Sequence, residues 1–413
     1  MILKNGLVFK SDENTLEKLD LRIENGKIKE IGNNLIASKY EELYDLNDKL
    51  ILPGFINTHT HAAMVIFRGI VEDKSFDDWL FKNIIPLESK LTSEIIYWAT
   101  LLSQMEMAAN GIVAFCDMYM YEEETAKAVA DFGMKALLTR GLVDDNGDDG
   151  GRLAENLKLY EKWHGYNERI YVGLGPHAPY TCSIEYLKKV CDIAKKENMV
   201  VTMHLMENSW EKEKFSINQL LKAGLADIHF LAVHCVHLDD NDINLLANTN
   251  TYISHNPSSN LKLGNGIAPI QKMFEKGLKI TFGTDGAASN NSLNVLFEAR
   301  LASLLQKKDN PENMKVTDVL NMLTTNGYNA LGLTGGKIKV GADADLVVLD
   351  LNTPSFYPKE NVINHIIHST PKVYATMVKG KFLYINGKFP TVNAEEVYKK
   401  FTTFYRKVIG TEN

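Results

Sequence analysis

Short apolar runs alternate with amphipathic stretches through the middle of the chain, from about residue 50 to about residue 310. The intervening stretches carry apolar residues at helical spacing, and several end in glycine or asparagine, which are typical helix stops. This alternation predicts an α/β fold, because parallel strands need helical crossovers between them. Eight strand-then-helix units predict a closed (β/α)8 TIM barrel. The eight predicted strands are LILPGFINTHTH, GIVAFCDM, KALLTRGL, IYVGLGPHAP, MVVTMHLME, HFLAVHCVHL, TYISHNPSSN and KITFGTDG.

Both ends of the chain have a different pattern, in which short alternating runs are separated by turns, as in β-hairpins. Neither end is long enough to bury a good core alone, so we expect the two to combine. The predicted flanking domain is a small β-sandwich built from residues 1–52 and 337–413, with a helix at the C-terminus. Residues 53–336 form the predicted barrel.

Composition and charge narrow the class of protein. The 413 residues are 45% hydrophobic and 23% charged, as in ordinary globular proteins. The net charge of −7 argues against nucleic acid or an anionic membrane as partner. No apolar run approaches the roughly 20 residues of a membrane span, and the N-terminus lacks the apolar core of a signal peptide. The four cysteines form no CxxC pair, which favours a reducing, cytoplasmic location. The sequence leaves a homo-oligomer open.

Ionisable residues stand where the predicted strands end. The first strand finishes in PGFINTHTH, so His59 and His61 share one face, since alternate side chains of a strand point the same way. The other strand ends carry Arg140, His177, His204 with Glu207, His234 with His237, His255, and Asp285. Active sites of such barrels lie at the carboxyl ends of the strands, and converging ionisable groups indicate function.

Four of these residues predict a metal site, namely His59, His61, His204 and Asp285. Nitrogen and oxygen ligands suit Zn²⁺, and a catalytic zinc keeps one position open for water. Fe²⁺ or Mn²⁺ accepts the same donors, so the residues predict one divalent ion without fixing the metal. Such an ion lowers the pKa of a bound water towards neutrality.

Neighbouring residues supply candidate catalytic groups. Glu207 follows His204 by three residues and could move a proton to a substrate nitrogen. Asp285 could orient the attacking water, and His234 could stabilise a developing alkoxide. His237 and His255 have weaker cases, and we expect supporting or structural roles for both.

Five segments together resemble the amidohydrolase superfamily and, more narrowly, its 5-methylthioadenosine/S-adenosylhomocysteine deaminases. They are PGFINTHTH, MHLMEN, VHCVHL, SHNPSSNLKLGNGIAPI and GTDGAASNN. The resemblance extends over nearly the whole chain. It implies a mononuclear metal hydrolase that converts the 6-amino group of adenosine derivatives to the inosine analogue and ammonia. It also implies that Glu207 protonates N1 of the purine.

The resemblance further implies a set of substrate residues. Glu88 would bind the ribose hydroxyls, His177 the purine, and Trp79 would line the pocket. Arg140 and Arg152 would bind the amino-acid carboxylate of the larger substrate, S-adenosylhomocysteine. Arginine binds carboxylates bidentately, which lysine does poorly.

Other functions fit the sequence less well. A binuclear amidohydrolase usually carries a bridging carbamylated lysine after strand four, and IYVGLGPHAPYTC contains no lysine. Mononuclear relatives that act on guanine, triazines or 5'-deoxyadenosine would share the metal residues and differ at the rim. The H-x-E…P-C-x-x-C signature of nucleic-acid deaminases is absent. A catalytically dead scaffold of the same fold would be expected to lose ligands that this chain keeps.

Overall fold

The computed structural model describes residues 1–144, 150–369 and 371–411 of the chain. The strands of the flanking domain are β1 (Ile2–Lys10), β2 (Thr15–Glu24), β3 (Lys27–Gly32), β4 (Leu43–Asp45) and β5 (Lys49–Pro53). The strands of the barrel are β6 (Phe55–Thr60), β7 (Ile112–Tyr119), β8 (Lys135–Leu142), β9 (Ile170–Val172), β10 (Gly175–Pro176), β11 (Val201–Leu205), β12 (Phe230–His234), β13 (Thr251–His255) and β14 (Lys279–Phe282). The flanking domain is completed by β15 (Leu346–Asp350), β16 (Lys372–Val378) and β17 (Lys381–Ile385).

The α-helices are α1 (Ile85–Glu88), α2 (Ser93–Ala109), α3 (Glu122–Phe132), α4 (Gly151–Trp163), α5 (Ile184–Glu197), α6 (Glu211–Lys214), α7 (Ile217–Lys222), α8 (Asp240–Ala247), α9 (Pro257–Lys262), α10 (Ile270–Glu275), α11 (Ala287–Asn290), α12 (Val295–Lys307), α13 (Val316–Leu323), α14 (Thr325–Ala330), α15 (Val362–His368) and α16 (Ala394–Ile409). Residues 62–67 form a 3-10 helix and residues 78–84 a π-helical segment. None of the described helices is long and apolar enough to cross a membrane.

The central strands form a closed parallel barrel, as predicted. Strands β6, β7 and β8 pair in parallel and continue into β9 and β10, which are two pieces of the predicted fourth strand. Strands β11 to β14 form the other half. Two hydrogen bonds that Leu174 makes with Val200 and Thr202 (2.9 and 3.0 Å) close one seam. The bond from Thr284 N to His59 O (3.0 Å) closes the other.

The flanking domain draws its strands from both chain ends, as predicted. One sheet runs in the order β17-β16-β15-β5-β1-β2-β3, and β4 pairs with β1. Residues from distant strands of this sheet share a single apolar core, because the sheet folds over on itself as a small sandwich. The core includes Leu3, Leu21, Ile51, Leu346 and Met377.

The first predicted strand, LILPGFINTHTH, is two strands in the structure. Strand β5 belongs to the flanking sheet, where Pro53 pairs with Leu346 of β15, and β6 belongs to the barrel. The chain changes sheets at Gly54. A Cβ atom at Gly54 would lie 2.2 Å from Val113 Cγ1, so only glycine fits this close passage.

A buried ion pair joins the base of the barrel to the flanking domain. Lys135, at the start of β8, extends its ammonium to Asp343 Oδ2 (2.7 Å) and Asp345 Oδ2 (2.6 Å). Tyr328 donates a further hydrogen bond to Asp345 (3.2 Å). The C-terminal helix α16 packs against barrel helix α2. The division into residues 1–52 with 337–413 and residues 53–336 stays a prediction.

Candidate active site

Three imidazoles and a carboxylate meet at the carboxyl end of the barrel. His59 Nε2 lies 3.2 Å from His204 Nε2 and 3.5 Å from Asp285 Oδ1. His61 Nε2 lies 3.2 Å from the same carboxylate oxygen. The barrel produces this convergence, since β6, β11 and β14 all end at one rim.

The spacing of these atoms fits a single metal ion. A tetrahedral zinc with bonds of about 2.0–2.1 Å separates its ligand atoms by about 3.3–3.4 Å. The observed separations of 3.2–3.5 Å bracket that value. Three imidazole nitrogens with one carboxylate oxygen are also the donor chemistry of a catalytic divalent ion. The four predicted ligands are therefore brought together in an arrangement that can hold one.

Backbone carbonyls orient two of the imidazoles. His61 Nδ1 lies 2.6 Å from Met118 O, and His204 Nδ1 lies 2.7 Å from His177 O. A carbonyl only accepts hydrogen bonds, so each Nδ1 carries a proton and each Nε2 is turned to the site, where it can bind a metal in its deprotonated form. Burial lowers the pKa of His59 to about 4, which also keeps that ring neutral and able to coordinate.

Two hydroxyl groups hold the carboxylate of Asp285. Ser259 Oγ and Ser289 Oγ donate to Oδ2 at 2.6 and 2.8 Å, which leaves Oδ1 to face His59 and His61. The backbone N–H of Gly286 donates to Oδ1 at 2.8 Å. Burial alone would raise the pKa of Asp285, but hydrogen bonds with the two histidines hold it well below its usual value.

His234, at the end of β12, lies beside the same cluster. With His59 and Asp285 it forms a second group whose ligand atoms lie within 4.8 Å of one another. Its Nδ1 is 2.8 Å from Asn260 Oδ1 and therefore carries the proton. Its Nε2 lies 3.8 Å from Glu207 Oε2.

Glu207 is a buried carboxyl group beside the cluster. Asn265 Nδ2 donates to its Oε1 at 2.8 Å. Burial, and then the negative charges of Asp285 and Glu211, hold the pKa of Glu207 well above its usual value. The loop that carries it is fixed by Glu211 Oε1, which accepts from the backbone N–H groups of Glu207 (3.1 Å) and Asn208 (2.9 Å).

The predicted purine and ribose residues surround the cluster. The ring centroid of His177 lies 4.8 Å from that of His204, and burial lowers the pKa of His177 to about 3. Tyr119 OH donates to Glu88 Oε1 at 2.7 Å, and the Tyr119 ring lies 6.0 Å from that of His61. Burial raises the pKa of Glu88, and the positive charges of His61, Arg140 and Arg152 oppose that rise.

Trp79 is buried in the π-helical segment. Its Nε1 is a buried donor without a hydrogen-bond partner among the described residues. Arg140 ends β8, where its Nη1 donates to Tyr119 O (3.3 Å) and Gly141 O (3.1 Å). Its Nε donates to Glu155 Oε2 (2.9 Å). Arg152 lies in the first turn of α4 rather than in a loop.

The other two histidines predicted at strand ends, His237 and His255, lie outside both groups of candidate metal ligands. His255 ends β13, and neither of its buried ring nitrogens has a hydrogen-bond partner in the described part of the chain. Burial lowers its pKa to about 3. His237 is partly buried in the loop after β12, where its N–H donates to Met206 O (3.0 Å).

Several residues that hold the candidate catalytic groups were not among those predicted from the sequence. Ser259 and Asn265 lie in SHNPSSNLKLGNGIAPI, and Ser289 lies in GTDGAASNN. Both segments are polar runs that follow predicted strand ends, and that position could have marked their residues as candidates for the site. Tyr119 and Glu211 carried no such signal.

A parallel barrel with this histidine and aspartate cluster at its mouth has the architecture of a metal-dependent hydrolase. The chain belongs to the amidohydrolase family, whose sequence model matches residues 50–383. A 5-methylthioadenosine/S-adenosylhomocysteine deaminase of Thermotoga maritima is 51% identical over 412 residues, which cover 100% of both chains. A 5'-deoxyadenosine deaminase of Methanocaldococcus jannaschii is 40% identical over 94% of this chain and 96% of its own length. The crystal structure of an adenosine deaminase from Xanthomonas campestris with bound zinc superposes with a TM-score of 0.94 at 25% identity, covering 99% of this chain and 98% of that one.

Proposed function

We propose that the protein hydrolytically deaminates adenosine derivatives. It would convert the 6-amino group of S-adenosylhomocysteine, 5'-methylthioadenosine or adenosine to the 6-oxo group of the inosine analogue, with release of ammonia. The position of Glu207 is the observation that most supports this proposal. Its carboxyl group is buried, and its Oε2 lies 3.8 Å from His234 Nε2 beside the histidine and aspartate cluster. A carboxyl group at this position would serve as a proton donor next to the candidate metal ligands.

His59, His61, His204 and Asp285 would hold one divalent ion, with zinc the best match to the donors. A bound ion supplies a Lewis acid and an activated water at neutral pH. Asp285 would accept the proton of that water while Ser259 and Ser289 hold its carboxylate in place.

Glu207 would supply the acid. Burial and the nearby negative charges hold its pKa well above the usual value, which favours the protonated carboxyl group that would give a proton to purine N1. Protonation of N1 makes C6 electron-poor, so that water oxygen adds there. The C6–N bond would then break, and the amino group would leave as ammonia with a proton returned through Asp285. The proton left on the C6 oxygen would pass to Glu207 as the 6-oxo group forms. His234 would stabilise the negative charge that develops on the C6 oxygen.

The order of the remaining residues supports an adenosine lying outward from the cluster. His177 is next to His204, where it would contact the purine, and Trp79 would line the same space. Glu88 lies farther from the cluster, hydrogen-bonded to Tyr119, and there it would bind the ribose hydroxyls. Arg140 and Arg152 stand close enough to Glu88 for their positive charges to oppose the rise in its pKa, and they would bind the carboxylate of an amino-acid tail. The partner we propose is a small molecule.

The test is ammonia release from metal-analysed protein. We expect turnover of S-adenosylhomocysteine and 5'-methylthioadenosine, and none of guanine, cytosine or a triazine. Release from none of the adenosines would overturn the proposal. Turnover of 5'-deoxyadenosine alone would instead favour a second candidate function, 5'-deoxyadenosine deamination. A 5'-deoxyadenosine deaminase is 40% identical to this chain.

A further inference from the structure

A cavity of about 370 Å³ opens beside Arg140 at the rim of the barrel. Its lining includes Arg140, Glu155 and Lys158. The cavity thus presents both signs of charge, whereas the proposed function assigns only a carboxylate to this rim. The charged groups that line the cavity would therefore influence which kind of substrate tail the site accepts.

Arg140 faces the same end of the site as the proposed ribose residue. Tyr119 and Arg140 are register partners in the parallel pair β7 and β8, and register partners of a sheet share a face. Tyr119 bonds Glu88 at 2.7 Å. With Glu88 on the ribose, as the proposed function has it, a substrate tail beyond the ribose would run towards the guanidinium of Arg140.

Glu155 is the acidic partner of this guanidinium. Its Oε2 accepts from Arg140 Nε at 2.9 Å, and its side chain is 64% exposed. Arg140 Nη1 is engaged by two carbonyl oxygens. Within the described residues Nη2 makes no hydrogen bond, so Arg140 keeps one donor edge for an incoming carboxylate while Glu155 stands at its side.

The other acids of the cavity are engaged elsewhere. Glu123 pairs with Lys162 (2.6 Å) and Lys127 (3.6 Å). Glu122 is buried, and its Oε1 accepts from the backbone N–H of Tyr119 (2.9 Å). Among the described residues that line the cavity, Glu155 is therefore the exposed acid beside Arg140 that can meet a positively charged group.

We infer that Glu155 binds the ammonium of a zwitterionic substrate tail while Arg140 binds its carboxylate. An α-amino acid end carries the two charges on one carbon atom, so a neighbouring cation and anion on the protein match both. Glu155 attracts the ammonium and repels the carboxylate. The rim therefore selects zwitterionic tails over purely anionic ones. This inference rests on the proposed function and deepens it.

The test compares three substrates in Glu155→Gln and wild type. S-adenosylhomocysteine has both tail charges, 5'-S-(3-carboxypropyl)thioadenosine has the carboxylate alone, and 5'-methylthioadenosine has neither. The substitution should lower kcat/KM about two- to fivefold for the first and raise it about as much for the second, the scale of an exposed ion pair. The third should be unchanged. Raising the salt concentration should shrink both differences.

Glu161→Gln is the matched control, because Glu161 is exposed on the same helix and does not line the cavity. All three substrates should behave as in wild type. If Glu155→Gln lowers kcat/KM equally for both charged substrates, Glu155 only positions Arg140. If it raises kcat/KM equally for both, Glu155 only repels anions. Either result, or no change, overturns the inference. Failure of wild type to deaminate any of the three would instead overturn the proposed function.

Discussion

The Nε2 atoms of His59 and His204 lie 3.2 Å apart, although 145 residues separate them along the chain. His204 Nδ1 is held by the carbonyl oxygen of His177, 2.7 Å away. With both rings neutral and both Nε2 lone pairs turned inward, the two nitrogens could bind one cation between them, as the proposed metal site requires.

Replacement of His204 by alanine should remove the ion. We expect the metal content of the purified variant to fall from about one equivalent to near zero, measured by elemental analysis, with loss of turnover. His365→Ala is the control, since His365 lies in α15 and belongs to neither group of candidate metal ligands, and it should keep its metal. A His204→Ala variant with full metal content would contradict the ligand assignment.

Glu207→Gln should separate proton transfer from metal binding. Glutamine keeps the shape of the side chain and can still bond Asn265, but it cannot give up a proton at neutral pH. Turnover should fall by about two or more orders of magnitude while metal content stays near normal. Glu213→Gln, on the exposed side of the neighbouring helix α6, should leave both unchanged. Wild-type turnover in Glu207→Gln would exclude this residue as the acid.

Arg152→Met should change selectivity. A charge-assisted hydrogen bond to the tail carboxylate contributes roughly 1.5–3 kcal/mol, so kcat/KM for S-adenosylhomocysteine should fall about ten- to a hundredfold. Methylthioadenosine and adenosine have no carboxylate and should be nearly spared. Equal losses on all three substrates would make Arg152 a structural residue. No loss on any would favour a smaller substrate such as 5'-deoxyadenosine.

Lys135→Met should destabilise the protein without touching the site. It leaves Asp345 buried without its cation and Asp343 with Lys27 alone, which costs about 3–5 kcal/mol of unfolding free energy, measured by denaturant titration. Lys372→Met, on the exposed start of β16, is the control and should change little.

The same ion pair predicts a pH dependence. Burial alone would raise the pKa of Asp343, but Lys135 and Lys27 hold it below the usual 3.8. This contribution to stability is fully present above the unfolded value of about 3.8 and is lost as the pH falls through the lowered folded value. Wild type should therefore lose more stability than Lys135→Met between pH 5 and pH 2.

The sequence predicted the barrel because its strands are buried on both faces and appear as separate apolar runs. It predicted the candidate ligands because parallel strands bring their ends to one rim. The sequence did not predict that the first strand divides at Gly54. The apolar run is continuous there, and the division depends on the close contact with Val113. The sequence also missed Ser259 and Asn265, because the direction of a side chain in a loop depends on packing that no local pattern encodes.

The pairing of β5 with β15 sets an order of events during synthesis. About 290 residues separate these neighbouring strands. At about 5–20 residues per second, a ribosome needs roughly 15–60 s to make the missing partner. Over that interval the edge of β5 is an open template for other chains, while the nascent barrel lacks the counterions of Lys135. A chaperone that covers this edge should therefore raise the yield of folded protein more than any change at the active site.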